Sequence, residues 1–349
     1  MPLPFNFTRR ALIAAGVGAS SAALSAGWSA GVAHAQPPRV AYPIIVLNSR
    51  DADLSLIHPD THQVIGRVPT GKEPHHLYPT PDNRQVIVGN AVSDSLTFIN
   101  PETGRVEMSM QAVADPYHLG FSPDQNFFVT CANRLDHVDV YRRVGLGEQM
   151  HLKGLARFDL AKTPSHLVFS SDSRTVYCTL QDSDEVAAID LQRLVVLWRM
   201  PVGKLPAGIA ISPDSKLLFV GVMGTDSVAV IDPFGGAAKT PRVVQRLRTG
   251  EGAHAFRNHG NKRDLWVSNR VANTISRIDM SRLRVEQEIA VPGGPDCMEV
   301  NASGKQVWVT QRWNRSVAMV DLDQSKVVKQ IRVGRSPHGV YLHDRAGLV

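Results

Sequence analysis

The chain has 349 residues, 43% of them hydrophobic and 20% charged, which excludes an intrinsically disordered polymer and leaves room for one large core or two average ones. Its formal charge of +6 is not gathered into any Lys/Arg run, so charge patterning gives no support to nucleic-acid binding. Three cysteines, Cys131, Cys178 and Cys297, with no Cys-x-x-Cys spacing, exclude a disulfide-built scaffold.

Residues 1–35 differ in kind from the rest of the chain. "FTRRALIAAG" places Arg9 and Arg10 ahead of an Ala/Gly/Leu-rich run, and "VAHAQ" offers small residues at Ala33 and Ala35 before Gln36. This reads as a twin-arginine export signal, cleaved after residue 35. Its weak hydrophobicity argues against a retained membrane anchor. Cleavage removes two arginines and no acid, so the formal charge drops from +6 to +4. The expected location is the periplasm, and the expected mature unit is a single domain over residues 36–349.

From residue 42 onward the chain is built of short apolar runs. "YPIIVLNS" (42–49), "ADLSLIHP" (52–59) and "QVIGRVPTG" (63–71) predict three strands. A repeating unit then begins: a Pro or Gly anchor, two residues, an alternating apolar strand, and a turn such as "SPD". Anchors fall at Pro74, Pro116, Pro164, Pro206, Gly252, Pro295 and Pro337, at intervals of 42, 48, 42, 46, 43 and 42 residues. Within the unit starting at Pro206, "GIAISPD", "KLLFVGV", "DSVAVID" and "RVVQRLRTG" predict four strands. Pro213 presets the turn φ and Asp214 tolerates turn geometry. Four strands per unit of this length is the arithmetic of a propeller blade. The N-terminal three strands lack a first, and "SPHGVYLHD" (336–344) is a first strand with nothing after it. The two ends therefore complete one blade, giving an all-β, seven-bladed β-propeller with four antiparallel strands per blade. The two longer intervals predict loops at 143–154 and 233–241, between third and fourth strands.

The unit resembles the YVTN-repeat family of seven-bladed propellers, which includes YncE-like periplasmic proteins. "VWVTQRWNRSVAMVDLDQSKVVKQIRVGRSPHGVYL" (307–342) carries the likeness most fully, and the likeness extends over residues 36–349. It implies the fold. For function it leaves lactonases, tetrapyrrole-binding propellers of nitrite reductases and partner-binding proteins side by side.

Two residues after each anchor, where the inner strand begins at the mouth of the central channel, stand His76, His118, His166, Gly208, His254, Cys297 and Gly339. His75 and His338 stand one place earlier. With 13 histidines in the chain, four in one column is more than scatter, although duplication alone copies residues too. Converging His and Cys donors suit a transition metal such as Cu, Zn or Fe, so His76, His118, His166, His254, Cys297 and His338 are the candidate ligands. On the same face the loops after the second strands hold Arg134, Arg270, Arg312 and Trp313. The arginines suit an anion or the propionates of a tetrapyrrole, or equally ion pairs with Asp115, Asp136 or Asp296. Asn48, Asn90, Asn269 and Gln311, ending second strands, are expected to tie neighbouring loops. Three functions are compatible with these features. The first is a periplasmic binding protein for a metal, metal-bearing cofactor or small anion. The second is a lactonase-like hydrolase or metal-dependent lyase or oxidase, without Gly-x-Ser-x-Gly or His-Glu-x-x-His. The third is a scaffold that binds a protein partner through Trp313. A monomer is expected, with no nucleic-acid partner and no stable membrane anchor.

Overall fold

The computed structural model describes residues 42–347, so the signal reading over residues 1–35 lies outside the described residues. These residues form seven four-stranded antiparallel sheets. Blade 1 runs outward through Pro74–Pro79, Val86–Asn90, Ser95–Ile99 and Val106–Gln111. Blades 2 to 6 repeat the order, with inner strands Pro116–Phe121, Pro164–Phe169, Pro206–Ile211, Ala253–Asn258 and Pro295–Val300. Blade 7 joins the two ends: Pro337–Tyr341 is innermost, followed by Ile44–Asn48, Asp53–Ile57 and Val64–Pro69. Ile45 pairs with Tyr341 and Val46 with Val340 across that seam, which closes the ring and leaves no inner edge to aggregate. No helix among the described residues is long and apolar enough to cross a membrane.

Burial explains the composition of the strands. The second and third strands are enclosed on both faces by neighbouring blades, so Val86–Asn90 and Ser95–Ile99 are buried throughout. The outermost strand has one face in water, and Val106–Gln111 alternates. The apolar core divides into seven clusters, each between two adjacent blades. Ile45, Leu47 and Leu54 of blade 7 pack with Val86, Val88 and Ile99 of blade 1, so the seam has the same kind of core as every other junction. The strand-ending amides act as expected: Asn90 Nδ2 donates to Ser95 and Thr97, and Asn269 Nδ2 to Thr274 and Ser276.

The longer units differ from expectation in one blade. Half of residues 143–154 are strand. Blade 2 extends its outer pair to His137–Val144 and His151–Asp159, joined by a short 3₁₀ turn, because residues 137–144 find register partners through 151. Residues 233–241 are a loop holding a 3₁₀ turn at Gly236–Ala238.

The start of each inner strand fixes the site. One residue lies in the left-handed region, and the next opens the strand. The left-handed residues are Glu73, Asp115, Thr163, Leu205, Gly252, Gly294 and Ser336. Gly252 (φ 79°) is therefore the residue before the strand, and Ala253 occupies the place of the prolines. Pairing agrees: Ala253 faces Asn269 and Phe256 faces Val267, as Pro295 faces Gln311 and Met298 faces Val309. This corrects the sequence alignment of blade 5 by one residue. His254 belongs with His75, Tyr117, Ser165, Ala207, Asp296 and His338, while Ala255 belongs with His76, His118, His166, Gly208, Cys297 and Gly339.

Blade 4 shows how little room the second column leaves. A Cβ on Gly208 would lie 1.9 Å from the carbonyl oxygen of His254. Gly208→Ala is expected to cost about 1–3 kcal/mol, the usual penalty for overpacking. Urea unfolding reads this as a lowered midpoint at constant m, and an unchanged midpoint would mean the two strands can part without penalty.

Candidate functional site

Every inner strand carries a register shift just after its first residue. Such a bulge sets two residues against one on the neighbouring strand, so consecutive side chains can share a face. Two stacked rings result. In the first, the His75 ring lies 3.6 Å from that of His338 and 3.9 Å from that of Tyr117. In the second, the rings of His76, His118 and His166 lie 4.4–4.9 Å apart. The rings also touch each other, through His76 with His338 and His166 with His254.

The first ring is an ion-pair network centred on Asp296, which is fully buried. Arg270 Nη2 donates to Asp296 Oδ1 at 2.7 Å, and Arg312 Nη1 to Oδ2 at 3.2 Å. Arg270 Nη2 also lies 2.8 Å from His254 Nε2. A guanidinium only donates, so His254 Nε2 accepts and its proton sits on Nδ1, 2.9 Å from Asp296 Oδ1. His338 Nδ1 lies 2.8 Å from the carbonyl of His75, so that nitrogen is the protonated one and Nε2 keeps a lone pair. Burial pushes the Asp296 carboxyl up, but Arg270, His338 and His254 outweigh it and hold the group well below the usual range.

The second ring holds no carboxylate, and His76 Nε2, His118 Nδ1 and His166 Nε2 have no hydrogen-bond partner among the described residues, as is also true of His75 Nδ1 and His338 Nε2 in the first. One ring nitrogen from each of the three lies within 4.8 Å of the others. The opposite nitrogens of two rings are held: His118 Nε2 lies 3.0 Å from Tyr78 Oη, and His166 Nδ1 2.9 Å from Ser165 Oγ. Two neighbouring donor sets exist, His75–His76–His338 and Asp296–Cys297–His338. Both draw on groups already committed to the first ring.

The triad lines a cavity of about 130 Å³ together with Tyr78, Arg257, Cys297 and Glu299. Tyr78, Arg257 and Glu299 lie further along the inner strands, so the cavity extends away from the arginine-bearing loops. His75, His254, Asp296 and His338, all at most 2% exposed, cover the triad on the arginine side. The sequence placed the histidines at an open mouth beside the arginines; the ring of Asp296 intervenes.

The arginines take the ion-pair role. Arg270 and Arg312 bind Asp296, while Arg134 reaches the carbonyl of Ala91 and pairs with Asp115 at 3.4 Å and Asp94 at 3.7 Å. Trp313 is 56% exposed and covers Gly294. The structure thus brings His76, His118, His166, Cys297 and, one tier away, His254 and His338 to the channel, with Arg270 and Arg312 above them. The contacts of Arg134 and Trp313 lie elsewhere. Sequence reasoning missed Tyr78 and Arg257 as lining groups; it named Asp296 as a possible partner of the arginines, which Arg270 and Arg312 bear out, but not as the hub that also gathers His254 and His338. For Asp296 a signal existed: it stands in the same column as His75 and His338.

Burial lowers all six channel histidines: His118 to about 3, His254 to about 4, and His75, His76, His166 and His338 well below 6.5. The unfolded chain therefore binds protons below pH 6.5 that the folded chain refuses, and stability falls as pH drops from about 6.5 toward 4. Each histidine kept neutral contributes a slope of about 1.4 kcal/mol per pH unit in that window. The low-lying carboxylates Asp51 and Asp264, at about 2, act only below pH 4. Melting temperature measured from pH 7 to 4 is expected to fall steadily, and a His76→Gln/His118→Gln variant to fall less; parallel curves would contradict this. Asp296→Asn removes the fully buried partner of two partly buried guanidinium groups and is expected to cost about 3 kcal/mol in urea unfolding.

Known proteins place this geometry in context. The model of the YNCE-like beta-propeller family matches residues 6–348. No curated protein sequence matches the chain. Among solved structures, a functionally unknown protein from Desulfotomaculum acetoxidans superposes with a TM-score of 0.74 at 13% identity, covering 88% of this chain and 100% of that one. A periplasmic gluconolactonase of Pseudomonas aeruginosa gives 0.71 at 17%, covering 88% and 99%. The dihydro-heme d1 dehydrogenase NirN, in complex with DHE, gives 0.63 at 16%, covering 86% and 75%. At these identities the structural likenesses speak for the fold alone. The extent of the family match and the closed ring of seven blades agree: this chain belongs to the YNCE-like beta-propeller family.

Proposed function

We propose that this protein is an exported, periplasmic binding propeller that holds one transition-metal ion on His76, His118 and His166. The observation that carries the reading is three buried imidazoles in the channel, each with an unpartnered nitrogen and each offering a ring nitrogen within 4.8 Å of the others. Burying a polar nitrogen without a partner costs free energy, and here three such costs fall on adjacent blades. Their low pKa values keep the rings neutral, with lone pairs free, through the physiological range. Neutral imidazoles suit Zn and Cu, and Tyr78 and Ser165 are the outer partners that orient such ligands. Cys297 on the cavity wall is a further soft donor within the same space.

A tetrapyrrole fits less well, although one neighbour in fold was solved with DHE. The 130 Å³ cavity lies below the range of drug-sized ligand sites, and the loop arginines expected to take propionates, Arg270 and Arg312, are tied to Asp296. The twin-arginine reading of residues 1–35 supports export, and that route carries proteins already folded. An ion could thus be loaded before the chain leaves the cytoplasm.

Chelator-stripped protein titrated calorimetrically with Zn(II), Cu(II) and Co(II) is expected to take up about one equivalent. His118→Ala and His166→Ala should abolish that binding, and Tyr78→Phe should weaken it about 10–100-fold. Undiminished binding in both histidine variants, or no uptake of any of the three metals, would sink the reading.

A further inference from the structure

Beyond the histidine triad the channel changes character twice. First comes the 130 Å³ chamber, whose lining holds two guanidinium groups, Arg257 and Arg345, against one carboxylate, Glu299. Next comes a funnel of about 360 Å³ walled by Leu119, Phe121, Val168, Phe169, Ile211 and Phe256. Arg257 lines both spaces, so it stands at the boundary between a polar compartment and an apolar one.

Arg257 is only 4% exposed. Its Nη2 donates to the carbonyl of Ala346 at 2.7 Å and lies 3.0 Å from Glu299 Oε2. Its Nε and Nη1 have no hydrogen-bond partner among the described residues. A buried guanidinium with two idle nitrogens carries a desolvation cost that a ligand would relieve. Nε and Nη1 lie on either side of Cδ, so each offers a separate donor, and a carboxylate oxygen on either one would relieve part of that cost. The charge balance of the chamber, two cations to one anion, fits a ligand of a single negative charge.

We infer that the channel binds a small amphiphilic monocarboxylate, its carboxylate on Arg257 and its hydrocarbon body in the funnel. This goes beyond metal binding and does not depend on it: Arg257 lines the channel whether or not the histidine triad is loaded. It also moves the anion site from Arg134, Arg270 and Arg312 on the loops to the opposite part of the channel.

The test uses the chain without its signal, stripped with chelator, and isothermal titration with acetate, butanoate, hexanoate, hexan-1-ol and inorganic phosphate. Affinity is expected to rise about fourfold per added methylene. Hexanoate should bind at least tenfold tighter than hexan-1-ol or phosphate. Arg257→Met should lose at least tenfold in hexanoate affinity while zinc uptake by the triad is unchanged, which separates this site from the metal site. Arg257→Lys, which keeps the charge but gathers the donors on one nitrogen, should also lose affinity and serves if the methionine variant fails to fold. Val168→Trp, filling the funnel, should weaken hexanoate and spare acetate. The inference is overturned if hexan-1-ol or phosphate equals hexanoate, if no carboxylate binds, or if Arg257→Lys and Val168→Trp both leave hexanoate binding intact.

Discussion

The bulge at the head of each inner strand is the constraint on which the site depends. A left-handed residue turns the chain into the channel, and the bulge then places two consecutive side chains against one partner residue. Seven repetitions turn this local irregularity into two rings of seven positions. A regular strand would point one residue of each pair away from the channel, and His75 and His76 could not both reach it.

The two rings divide the electrostatic labour. Asp296 gathers Arg270, Arg312, His254 and His338 into a network that satisfies charged groups and covers the channel on one side. Charge is thereby paired in the first ring, although His75 Nδ1 and His338 Nε2 also lack hydrogen-bond partners there. His76, His118, His166 and, further along, Arg257, each with an unpaired nitrogen, line a shared cavity. Repetition makes the positions equivalent, but occupancy breaks the symmetry: blades 1 to 3 supply the histidine triad, and blades 5 to 7 supply the ion pairs.

The turns and strands were legible because they rest on local rules. Ser122 Oγ donates to Asp124, and Phe127 N to Ser122, in a turn whose residues announce themselves wherever "SPD" recurs. The blade-5 alignment was not legible. Gly252 looks like a substitute for the anchoring proline, but its φ of 79° makes it the residue before the strand. Glycine serves either place, so spacing alone could not choose, and His254 falls in the other ring. Residues 143–154 misled in the opposite sense, since their Gly-rich sequence suggests a loop while cross-strand pairing draws both ends of the segment into longer strands.

The seven blades, the shared seventh and the column of histidines are written in the residues themselves, because strand periodicity and turn chemistry act over a few residues and repeat. Which of the candidate groups are free to bind emerges only when the ring closes. Arg270 and Arg312 are charged and loop-borne in the sequence, yet they are committed to a buried carboxylate. Arg257 sits unremarked in a strand, yet it retains two idle donors beside a cavity. Whether a polar group is satisfied depends on partners from other blades, tens of residues away, and that is a property of the closed ring and not of any one repeat.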